Sequence, residues 1–149
     1  MAAQPVSEVL ARLRSIHRRL SDQYISFSET VSCSRVRTAL DCMARHEEQI
    51  ESWLKDHEAH TDSGVLNTWI QFAPGFALDR LSPELHENQS TEELLDAARE
   101  LDQKLLVLYR RLADAASAPR VREMFGNLFS LVESKDLQFT RTAVEMSDE

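Results

Sequence analysis

Glycine and proline are nearly missing from this chain, at 3 and 4 of 149 residues. So few helix-breaking residues exclude a fold built on many tight turns and point to an all-helical protein. Long apolar runs are absent too. No stretch approaches a membrane span, and the opening MAAQPVSEVLARLRS has no apolar core of signal-peptide length. Cysteine is limited to Cys33 and Cys42. The expectation is a cytoplasmic protein with reduced thiols, a redox role for the pair being the alternative. Positive charge is in deficit: 17 Lys and Arg face 25 Asp and Glu, for a net charge of -8 and a pI near 5.1. That balance argues against nonspecific binding to nucleic acid or to an anionic membrane. No Gly-rich phosphate loop, Cys-x-x-Cys pair or nucleophile constellation is visible, so hydrolase and kinase chemistry have no support.

What is present suits one helical domain with a substantial core: 42% hydrophobic and 28% charged residues. Apolar residues recur at 3.6-residue spacing in four stretches, predicting helices over 7–30, 35–57, 91–116 and 119–144, with a crossover over 58–90. Ser7 reads as the first N-cap, and Ser90-Thr91-Glu92-Glu93 as a capping box. Arg12, Arg14, Arg18 and Arg19 read as a solvated outer face. The turns fall near Ser32 and near Ser117-Ala118-Pro119. Gly126 is the one glycine within a long helix, where it would allow close helix approach. Inside the crossover, GVLNTWIQFAPGFALDRL is too apolar for a disordered linker. It predicts a short helix near Val65–Phe72, with Trp69, Phe72 and Phe76 packed on the bundle, an exposed aromatic patch for a partner being the alternative, and Ser82-Pro83-Glu84 opening a further helical turn. Two hairpins and one long connection make an antiparallel four-helix bundle the expected architecture.

One polar feature interrupts the pattern. In ALDCMARHEEQIESWL the apolar face of Leu40, Met43, Ala44, Ile50 and Leu54 is centred on Glu47, with Glu51 one turn on. A carboxylate facing a core must be paired, protonated or bound to metal. His17 lies 15 residues before the first turn and Glu47 lies 15 after it, so the two should be neighbours at one height. Asp102 and Glu133 stand about equally far from the second turn, and Asp136 falls on the same stripe. At ~1.5 Å rise per residue, each lies ~22 Å from its turn. The candidate inward cluster is therefore His17, Glu47, Asp102, Glu133 and Asp136. His57-x-x-His60, at the end of the second helix, is a weaker metal signal beside the plainer reading of an exposed helix end.

With these residues in view, the chain resembles the ferritin-like superfamily, rubrerythrin-type domains in particular. The similarity is best in LDCMARHEEQIESWL and from Asp102 to Tyr109 ahead of RRLADAA. The resemblance implies a four-helix bundle with a crossover. In the superfamily's di-iron members it also implies a Glu from each of two helices and a Glu-x-x-His from each of the other two. Here Glu47 and Glu133 match the motif glutamates, but Ile50 and Asp136 stand where the histidines belong. Asp102 replaces a glutamate, and no glutamate faces inward at that level on the first helix, where His17 is the nearest candidate and Arg14 precedes it by a turn.

Two functions follow as expectations. One is a ferritin-like bundle without a standard di-iron site and without cofactor, a non-catalytic module acting as a homodimer or with a protein partner. In it Glu47 or Asp136 pairs with His17 or Arg14, or accepts from Tyr24 or Tyr109. The other is an Fe- or Mn-binding rubrerythrin-type oxidoreductase or iron-handling protein using His17, Glu47, Asp102, Glu133 and Asp136. Enzymatic activity stays open, as does a third idea, a small-ligand carrier using the core.

Overall fold

A computed structural model describes residues 2–72 and 91–147, with the side chains of 4–70 and 92–134. In chain order the elements are β1 (Ala2–Pro5), α1 (Val6–Thr30), α2 (Ser34–Ala59), α3 (Ser63–Leu66), β2 (Trp69–Phe72), α4 (Thr91–Ala115) and α5 (Pro119–Ser147). The four long helices form two hairpins, α1–α2 and α4–α5, packed into one bundle. The expected all-α bundle is thus present, and its helix bounds lie close to those the apolar spacing predicts.

Each long helix buries a stripe at 3- and 4-residue intervals. On α1 it runs Val6, Val9, Leu10, Leu13, Ile16, Leu20, Tyr24 and Phe27. On α2 it runs Val36, Leu40, Met43, Ala44, Ile50 and Leu54. Leu94, Ala98, Leu101, Leu105, Leu108, Tyr109 and Leu112 on α4 meet Val121, Met124, Phe125, Leu128 and Val132 on α5 in the same core. Stripes of this width make an amphipathic helix stable only against its neighbours. The first turn closes with Val31 N–H donating to Phe27 O at 3.1 Å, while Arg37 Nη2 donates to Val31 O at 3.0 Å. In the second, Ala116 N–H donates to Leu112 O, Arg122 Nη2 donates to Ala116 O, and Pro119 opens α5 where its missing N–H costs nothing.

Several local expectations are corrected. Helix α1 starts at Val6, not after a Ser7 cap, and Pro5 is its extended preceding residue. The predicted helix near Val65–Phe72 ends at Leu66, capped at its start by the Asp62 carboxylate accepting from Gly64 N–H at 3.2 Å. Trp69–Phe72 is instead a strand, antiparallel to Ala2–Pro5, with Ala2 opposite Phe72 and Pro5 opposite Trp69. Four residues are too few for periodicity to separate helix from strand, and the pairing partner lies over 60 residues away. In that ribbon Ile70 is buried, while Trp69, expected to pack, is 63% exposed. Gly126 does not serve close approach among the described residues, where a Cβ would meet nothing within 4 Å. The Ser90 cap, the Ser82-Pro83-Glu84 turn and the packing of Phe72 and Phe76 lie outside the described residues.

Candidate functional site

The inward glutamate finds its partner on α1. His17 is fully buried and Glu47 is 6% exposed, and His17 Nδ1 lies 2.5 Å from Glu47 Oε2. The second ring nitrogen, Nε2, is hydrogen-bonded to the hydroxyl of Tyr109 on α4. The His17 and Tyr109 rings are nearly parallel, at 12°. A carboxylate accepts, so Nδ1 donates to Glu47. In the neutral ring Nε2 then accepts from the Tyr109 hydroxyl; in the charged ring it donates to that oxygen. Either way both nitrogens are engaged, and one chain of hydrogen bonds runs from α2 through α1 to α4.

A second buried phenol stands nearby. Tyr24 lies seven residues on from His17 along α1, and Asp102 lies seven residues back from Tyr109 along α4, as expected where α1 and α4 run antiparallel. Burial first, then the Asp102 carboxylate, then Glu47, push the Tyr24 hydroxyl well above its ordinary pKa. Burial, Glu47 and Asp102 do the same to Tyr109. The Tyr24 hydroxyl is buried and makes no hydrogen bond among the described residues. The centre thus holds two neutral phenols, an imidazole and two carboxylates in a nearly dry setting.

Tyr24 and Tyr109 are the chain's two tyrosines, so its phenolate absorbance reads this site alone. In the unfolded chain both ionise near pH 10; in the bundle both stay protonated beyond it. Their contribution to stability is therefore complete below about pH 10 and is lost as pH rises above it. Titrated with base, the protein is expected to show no phenolate while circular dichroism still reports full helicity, and then phenolate and unfolding together. Half-ionised tyrosine at pH 10 in an intact bundle would contradict this placement.

The candidate residues divide. His17 and Glu47 come together, and half-buried Asp102 acts on the same tyrosines through space. Glu133 does not join them: it is exposed beside buried Val132, one residue being 100° around the helix. The side chain of Asp136 lies outside the described residues. Arg14, a possible partner of Glu47 in sequence, pairs instead with Glu58 at 3.3 Å. Ile50, in the place of a motif histidine, is a core residue. His57 stacks on Trp53 at 4.7 Å, and His60 Nδ1 lies 2.7 Å from Asp56 O. They line an open cleft of about 300 Å³ with Arg120, Glu123 and Met124. Among the described residues no three His, Cys, Asp or Glu side chains are arranged to hold a metal ion. Tyr109, read in the sequence as a stripe residue able to donate to Glu47 or Asp136, pairs instead with His17.

A bundle of two hairpins with polar side chains meeting at its centre is the ferritin-like architecture. The whole chain matches 98% of a protein from Thermotoga maritima described as a ferritin-like diiron-carboxylate protein, with a TM-score of 0.70 and 13% identity. That likeness is one of fold, and the chain has the ferritin-like fold. No protein-family model matches it, and no curated protein matches it in sequence. No helix among the described residues is long and apolar enough to cross a membrane.

The di-iron group of that fold does not fit the described residues. A metal-binding histidine needs a free lone pair, and both nitrogens of His17 are spent on Glu47 and Tyr109. With Glu133 outside and Ile50 apolar, the donors among the described residues do not make a two-metal set.

Proposed function

We propose that this chain is a ferritin-like bundle acting as a non-catalytic binding or structural module. The observation that carries the reading is the engagement of both His17 nitrogens by protein groups. A Glu47–His17–Tyr109 chain paired within the protein holds its buried polar groups without an ion, and the protein then acts through its exterior. The large apolar side chains exposed among the described residues, Ile25, Trp69 and Val107, are spread over α1, β2 and α4.

The competing reading draws on the Thermotoga neighbour, described as a diiron-carboxylate protein. Iron or manganese would have to displace Glu47 or Tyr109 from His17. The test is elemental analysis of untagged protein purified without chelator, repeated after anaerobic addition of Fe(II) and Mn(II). Neither metal is expected at stoichiometric level. Stoichiometric iron or manganese that disappears in Glu47→Ala would overturn the proposal.

A further inference from the structure

Helix α2 carries a second constellation, separate from the bundle centre. Cys42 and His46 lie one helical turn apart, both half-buried, with Cys42 Sγ 3.6 Å from His46 Nε2. Viewed down α2 they stand roughly 100–140° around from Glu47, at the edge of the buried stripe. We propose that Cys42 and His46 form a two-ligand site for a thiophilic divalent cation of the zinc class.

The spacing carries the argument. Tetrahedral zinc takes sulfur at about 2.3 Å and imidazole nitrogen at about 2.0–2.1 Å, which sets the two donor atoms about 3.5 Å apart. The pair already stands at that distance on a rigid helix, so binding needs little movement of either side chain. The chemistry balances simply. The thiol proton leaves to solvent, the sulfur lone pair it held bonds the cation, and Nε2 supplies a second pair. Thiolate and imidazole together select zinc or copper over manganese and magnesium. The site is thus of a different kind from the carboxylate-rich bundle centre. Two protein ligands leave two positions, which water or the same pair from a second copy of the chain fills.

Cobalt(II) is the probe, since thiolate bound to it gives a charge-transfer absorption and zinc displaces it. Added anaerobically to the full chain, cobalt is expected to raise that band. The band should vanish in Cys42→Ser and persist in Cys33→Ser. In His46→Ala the affinity should fall by more than about ten-fold, a loss that even residues behind metal ligands produce. Persistence of the band in Glu47→Gln would keep this site distinct from the bundle centre, whatever the iron and manganese analysis gives. One cobalt per chain would mean that water completes the site, and one per two chains that a second copy does; either supports it. No charge-transfer band at saturating cobalt, or a band lost in Cys33→Ser and kept in Cys42→Ser with helicity intact, would overturn it.

Discussion

Replacing Glu47 alone with leucine is expected to destabilise the bundle by about 3 kcal/mol, although it removes a charge from the core. The loss comes from what remains. His17 Nδ1, fully buried and 2.5 Å from Glu47 Oε2, would face leucine with its N–H unanswered. Leaving a buried donor unpaired costs about 1–3 kcal/mol, and breaking a buried ion pair about 3–5. Replacing the whole chain of hydrogen bonds is a different experiment. In Glu47→Leu, His17→Leu, Tyr109→Phe no polar atom of the network is left behind, and such apolar replacements are commonly neutral or stabilising by about 1–4 kcal/mol. Urea unfolding of the single and triple variants decides the matter. A single variant as stable as the parent would mean that His17 does not depend on Glu47.

The two tyrosines are expected to respond to the same substitution with opposite signs. Tyr109→Phe removes the partner of His17 Nε2 and should cost about 1–3 kcal/mol. Tyr24→Phe removes a buried hydroxyl that has no hydrogen bond among the described residues and should stabilise by about 1 kcal/mol. Both rings are fully buried members of one core, so the loss of a single oxygen is the same change in volume. The difference therefore isolates the hydrogen bond. Thermal unfolding in parallel would show the two midpoints moving apart; equal shifts in one direction would remove the distinction drawn between the hydroxyls.

The helices were legible because burial repeats every 3 or 4 residues for six or seven turns, a signal that four-residue elements cannot carry. His17 and Glu47 were legible as neighbours because a tight turn makes equal distances along two helices equal heights. Counting worked across that turn and failed for Glu133, where one residue of error rotates a side chain out of the core. Tyr109 was legible as a possible partner of the inward carboxylates, but its pairing with His17 was hidden for another reason. Its contact with His17 spans 92 residues and depends on how the second hairpin docks on the first, which no local pattern encodes. The β1–β2 ribbon was hidden likewise, since strand pairing between distant tetrapeptides has no periodic trace.

That ribbon gives the first hairpin a neck. Ala2–Pro5 and Trp69–Phe72 draw together the two ends of a long loop containing α1, α2 and α3, and Val6 N–H adds a 2.8 Å bond to Thr68 O. A cut within the Val31–Cys33 turn would leave two pieces still tied there, one through each strand. The neck also stands where the chain departs for α4. The second strand also packs against α4, so whatever grips or displaces the first strand acts on the place where the neck meets the second hairpin.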